Sequence, residues 1–339
     1  MSVKDELLGH WHRLKAKLTP TKSEHSSEGE PALKKMPWRY LGFGLAGIFA
    51  LLVLLGIYWS NEPKLFDVPP ATANPEIIGS TSVATVDELV NVMLNKPGGM
   101  LANDVTPPSI WLDNIPSWEV GVIFQVRDFS RALRRDFSRS QSQSQENGNL
   151  VLADPQFNVD IRSWLIPAAE SEYREGQRHW RRYQAELESG QGAQFYARAD
   201  SLNRWLGDVQ TRIGSLSQEL SASVGRPVVG SENNGEVQKT PWLQIDNVFY
   251  EARGQSYALI HLLKAIEVDF ADVLEKKEAQ APLAQIIREL EATQKTVWSP
   301  VILNGSGFGM VANHSLVMAN YLSRASAAIG DLRELLSSG

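Results

Sequence analysis

The 339-residue chain contains no cysteine. That excludes disulfides, thiolate metal sites and a cysteine nucleophile. Histidine is also scarce: only His179, His261 and His314 lie beyond residue 60. None sits in an HExxH motif or beside a second histidine at ligand spacing, so no metal site is expected. There is no GxSxG elbow, no SxxK pair and no P-loop, and no βαβ pattern surrounds any glycine cluster. No catalytic residue and no cofactor are therefore assigned. A formal net charge of −6 and a pI near 5.6 argue against nucleic acid as a partner. Carboxylates are plentiful, but their spacing does not place two of them as a glycosidase pair.

Long apolar runs are missing too, with one exception. From Tyr40 to Trp59 the chain carries no charge, which is about the length that crosses a bilayer. Trp38, Tyr40, Tyr58 and Trp59 flank it, as interfacial aromatics do. Residues 1–39 hold eight Lys/Arg against five acids, so the positive-inside rule keeps the N-terminus cytoplasmic. The run is too long, and its lead too long, for a cleaved signal peptide, although Ala71-Thr72-Ala73 resembles a cleavage site. Gly42, Ala46 and Ala50 repeat every four residues, a stripe that permits close packing of two spans.

Four segments follow from this reading. Residues 1–39 are a cytoplasmic tail whose Val3, Leu7, Trp11, Leu14 and Leu18 mark a basic amphipathic helix. Residues 40–59 form the membrane span. Residues 60–80, with Pro63, Pro69, Pro70 and Pro75, form an extended tether holding the folded part away from the bilayer. Residues 81–339 form a periplasmic domain, with a division into two lobes near 225–241 left open.

The fold class expected is all-α, an antiparallel helical bundle with coiled-coil-like seams. Val122, Val126, Phe129 and Leu133 make the first clear stripe; Tyr173, Trp180 and Leu187 mark a polar helix after Pro167. Leu202 to Leu220 alternates by fours and threes. Ala252, Leu259, Ile266 and Val273 mark one further helix, and Met318, Leu322, Ile329 and Leu336 the last.

Two features suggest ligand binding. Arg127, Arg131, Arg135 and Arg139 recur on one helical face, and Arg174, Arg178 and Arg182 on another. Arginine suits planar, bidentate recognition of anions such as lipid head groups or glycans, but such stripes also pair with acidic helices. Gly305, Gly307 and Gly309 precede a helix expected to begin near Val311, with Asn313 and His314 on its first turn. Converging backbone amides there would hold an anion, or the glycines simply allow close packing. Trp111, Trp118, Trp164, Trp205, Trp242 and Trp298 are expected mostly in the core.

With the span, the Pro-rich segment, WLIPAAESEYREG (Trp164 to Gly176) and WSPVILNGSGFGMVANHSLVMANYLSRA (Trp298 to Ala325), the chain resembles a family of uncharacterised single-pass inner-membrane proteins of Gram-negative bacteria. The resemblance implies no activity and no site residue. The function expected is a membrane-anchored, non-catalytic periplasmic scaffold or adaptor with an envelope protein partner or a second copy of itself. The alternatives are a module binding an anionic ligand and a cell-wall hydrolase.

Overall fold

A computed structural model describes residues 38–140, 145–227, 237–299, 301–305 and 311–338. The tail expected to hold an amphipathic helix lies outside the described residues. The chain divides into two compact units, Met1–Phe49 and Ala50–Gly339. Helix α1, Trp38–Trp59, contains the apolar run Tyr40–Trp59, and Gly42, Ala46 and Ala50 are all exposed on it.

The unit from Ala50 onward is built almost wholly of helices: α2 Ser80–Asn95, α3 Asn114–Ala132, α4 Gly148–Phe157, α5 Ala169–Glu188, α6 Ala199–Ser221, α7 Ile245–Asp269, α8 Ala271–Lys276, α9 Gln280–Ala292 and α10 His314–Ser337. Among the described residues extended pairing is limited to β1, Arg226–Pro227, and β2, Val237–Gln238, which close the ends of the loop at 225–241, and to an isolated antiparallel bridge between Asn304 and Asn313. Helices from both sides of that loop belong to the same unit.

Helix α7 is the axis of the bundle. Every residue from Ala252 to Leu263 is buried, including Arg253, Gln255, Ser256 and His261. Over this stretch the helix is covered on all sides; it stops at Asp269, so Val273, expected on the same helix, belongs to the short α8. Its main neighbour is α3, which runs parallel to it. Trp118 meets Tyr257 (5.0 Å between ring centroids) at one end and Phe137 meets Phe270 (5.4 Å) at the other. The two backbones touch where Gly121 faces Gly254. A Cβ on Gly121 would lie 2.2 Å from the Glu251 carbonyl oxygen, and one on Gly254 would lie 2.0 Å from that of Trp118. Only hydrogen at both positions lets the helices approach this closely.

The outer helices pair antiparallel. In α6 and α10, Arg333 Nε donates to Asn203 Oδ1 (2.9 Å) at one end and Ser217 Oγ to the Ala319 carbonyl (2.9 Å) at the other. In α4 and α5, Phe157 packs on Trp180 and Asn149 Nδ2 donates to Glu186 Oε1 (2.7 Å). Helix α2 carries no clear apolar period in the sequence, because Ser80, Thr81, Ser82, Thr85 and Asp87 are buried beside Val83, Val86, Leu89 and Val90. It lies against α5, where Trp180 Nε1 donates to the Val83 carbonyl (2.7 Å) and Arg181 meets the Asp87 carboxylate (2.8 Å).

Candidate functional site

The most organised polar structure is where the chain leaves α1 and crosses α7. Arg253, Tyr257 and His261 stand four residues apart on α7 and so share one face. Each grips the crossing segment two residues further along. Arg253 Nε donates to Glu62 Oε1 (2.8 Å), Tyr257 Oη donates to the Lys64 carbonyl (3.0 Å), and His261 Nε2 accepts the Phe66 amide (3.0 Å). The match is geometric: two extended residues advance about 6.6 Å, and four helical residues advance about 6 Å. Within segment 60–80, expected as an extended tether, residues 62–66 therefore form a strap laid along the bundle. Its prolines do not prevent this, because side chains of α7 supply most of the fastening.

Each rung is chemically complete. The buried Arg253 also donates to the Thr293 and Lys295 carbonyls (2.8 and 2.9 Å), which fixes the segment after α9. The Phe66 ring stacks on the His261 imidazole at 3.8 Å. His261 Nδ1 lies 2.7 Å from the Tyr257 carbonyl, so Nδ1 carries the proton and Nε2 is the acceptor. The sequence suggests a half-buried His261; it is fully buried, and burial above all pushes its pKa down to about 4. At the far end of the segment the Asp269 carboxylate accepts the Gly79 and Ser82 amides (2.9 and 2.6 Å). It thereby caps α2, whose own N-cap residue Gly79 has no side chain to do so.

The end of the unit that receives α1 is built the same way. Gly56 faces Pro108 and Leu112, and Trp59 lies against Gly98. Lys96 and Glu119 form a fully buried pair at 2.5 Å, and Glu119 also accepts the Leu101 and Ala102 amides. That satisfied carboxylate shapes the loop after α2. Next to Arg253, Phe249, Trp298, His314, Val317 and Tyr321 line a mostly apolar groove of about 360 Å³.

Most arginines of the two faces are engaged within the unit. Arg127 donates to the Phe157 and Val159 carbonyls and to Tyr173 Oη. Arg131 pairs with Asp128 (3.5 Å), Arg174 reaches Asn95 Oδ1 (3.2 Å) and Arg178 pairs with Glu175. A π-helical turn at Leu133–Phe137 breaks the register, and Arg139 faces Glu146 (3.6 Å). Arg135 and Arg182 are exposed. Of the glycine segment, Gly305 is described, and its amide donates to the Ala312 carbonyl (3.1 Å). A Cβ at Gly305 would lie 1.9 Å from the Val311 carbonyl oxygen, so its glycine serves close packing. Helix α10 begins at His314, not near Val311. Asn313 caps it through the Leu316 amide and holds Asn304 and Gly305 with its Nδ2. His314 Nδ1 accepts the Leu303 amide (3.0 Å), and burial lowers its pKa. Gly307 and Gly309 lie outside the described residues.

A second cleft, of about 440 Å³, opens between α3, α6 and α7. Asp128, Asp208, Glu219 and Glu251 line it with Arg131 and Arg212. Burial, and then the charge of Glu219, raise the Glu251 pKa. Four carboxylates against two guanidiniums favour a polar or cationic guest over an anion. Among the described residues no group of three or more His, Asp or Glu is placed to hold a metal ion.

Of the six tryptophans expected mostly in the core, Trp118 and Trp205 are there, while Trp111, Trp164, Trp242 and Trp298 are 52%, 56%, 77% and 92% exposed. Their loops lie far apart in the chain, so nothing local in the sequence distinguishes them from core residues.

A family model described as an uncharacterized protein conserved in bacteria (DUF2333) matches residues 32–339. No curated protein and no solved structure matches the chain.

Proposed function

The chain belongs to this bacterial family, and we propose that it is a membrane-anchored helical scaffold of the cell envelope that works by holding a partner. The observation that carries the reading is the strap. Glu62, Lys64 and Phe66 are fixed to three successive positions of the central helix immediately after α1. The segment just after α1 is thus tied directly into the core of the bundle. The positive-inside rule puts the bundle on the periplasmic side of the inner membrane. The arginines and asparagine most suited to hold a ligand are largely engaged in internal contacts, which supports a structural role over an anion-binding one.

The test is crosslinking in living cells, followed by mild detergent extraction of the full-length chain and mass spectrometry. A stoichiometric envelope protein that is still captured by the Arg135→Ala/Arg178→Ala and His314→Ala variants is the expected result. Recovery of the chain alone, or only as copies of itself, overturns the adaptor reading.

A second reading rests on the cleft between α3, α6 and α7, which Glu219 and Glu251 line together with Asp128 and Asp208; burial first, then the Glu219 charge, raises the Glu251 pKa there, as a general acid beside a carboxylate requires. It predicts that purified protein cleaves cell-wall glycan and that Glu251→Gln abolishes this while leaving the fold intact. Absence of cleavage by the unaltered protein removes that reading.

A further inference from the structure

The four exposed tryptophans are not scattered. Trp111 belongs to the loop whose Pro108 and Leu112 face Gly56 of α1. Trp164 and its neighbours Leu165 and Ile166 belong to the loop joining α4 to α5, tied to the same region by Asn103 Nδ2 donating to the Ser163 carbonyl (3.2 Å). Trp242 directly precedes α7, on the side from which the strap arrives. Trp298 follows the segment that Arg253 holds through the Thr293 and Lys295 carbonyls. Four loops separated by up to 187 positions in the chain (Trp111 to Trp298) therefore place their large apolar side chains at one end, the end that receives α1. Ile166 is 91% exposed there, and Leu243 and Ile110 are exposed with it. At the opposite end, where Asp269 caps α2, single apolar side chains such as Ile78 (53%) are exposed, but among the described residues no exposed tryptophan lies there.

We propose that this rim is seated in the interfacial layer of the bilayer that α1 enters, so that the bundle rests on the lipid surface and does not stand off from it. The inference rests on the anchor reading above. Its occupant is the bilayer for three reasons. Tryptophan, with an apolar body and one N–H donor, is the side chain enriched at the depth of the head groups. The rim surrounds the place where the apolar helix joins the unit. The strap, fixed at Glu62, Lys64 and Phe66, leaves no slack that would let the rim lift away. Free in water, clustered side chains of this size are an association liability; against lipid they are satisfied.

The chain has no cysteine, so single substitutions give unique labels. Full-length protein carrying a nitroxide at Ile166→Cys, Trp298→Cys, Leu54→Cys or Lys276→Cys is placed in vesicles of phosphatidylethanolamine and phosphatidylglycerol. Collision with dissolved oxygen, which partitions into lipid, is compared with collision with a water-soluble nickel chelate. The expected result is an oxygen-to-nickel ratio highest at Leu54, raised at Ile166 and Trp298, and lowest at Lys276 at the opposite end. If Leu54 reads as lipid while Ile166 and Trp298 match Lys276, the seat is overturned and the anchor stands. If Leu54 also reads as water, the anchor reading falls and the seat falls with it.

Discussion

Helix α7 and the rim at its N-terminal end are both rich in large side chains, yet they are treated oppositely. Along the middle of α7, from Ala252 to Leu263, the protein covers every side chain, and even its arginine and histidine are buried and partnered. At the rim, a few residues beyond, tryptophan and isoleucine are left open. The polar groups of α7 explain themselves from within the chain; the apolar groups of the rim do not. Buried polarity here marks how the molecule is held together, and exposed apolarity marks where it meets its surroundings.

The contrast breaks most severely at the α3–α7 contact. Gly254→Ala forces a methyl group into the Trp118 carbonyl and should cost about 3 kcal/mol. Denaturant unfolding of the detergent-solubilised protein measures it. Gly148→Ala, where nothing lies within 4 Å, is the control and should change stability little.

Next comes the strap. His261 is held neutral, with its pKa lowered from 6.5 to about 4 in the folded state. The unfolded chain therefore binds the proton first as pH falls. Stability from this group is complete above about pH 6.5, declines below it and is lost by about pH 4, on the order of 3 kcal/mol in all. Glu251, raised by burial, titrates with the opposite sign. The diagnostic quantity is thus the difference between unaltered protein and His261→Gln, which should shrink steadily as pH drops from 7 to 4. A difference independent of pH would remove the histidine from the latch. Glu62→Ala, which strips the carboxylate from the buried Arg253, should cost about 2 kcal/mol by the same denaturation assay.

The smallest effects belong to the exposed groups. Ile166→Ser and Trp298→Ser should change stability by no more than about 0.5 kcal/mol, and so should Arg135→Ala and Arg178→Ala. A large loss at either rim position would mean that the rim is packed by protein in solution.

The all-α architecture is legible because α6 and α10 bury one face each and leave the other to solvent, and α3 buries one face and half-covers the other, which writes a period into the sequence. Helix α2 leaves no such mark, since serines, threonines and an aspartate occupy its buried positions. Helix α7 is legible as a helix but not as the central one, because a helix covered on all sides has no polar face to set against its stripe. The candidate site is least legible. Glu62 and Arg253 are 191 positions apart, and an extended proline-containing segment reads alike whether it hangs free or lies on a helix. The arginine period is visible in the sequence, but not its acceptors, several of which are backbone carbonyls. The exposed tryptophans look like core because hydrophobicity alone does not say which loops the fold will bring to one end.

The central claim is that the segment after α1 is fastened to the central helix. Amide hydrogen exchange of the full-length protein in lipid nanodiscs tests it directly. The account predicts that Phe66, whose amide is held by His261 Nε2, is protected nearly as well as the middle of α7. Exchange of residues 62–66 at the rate of an unstructured chain would contradict it.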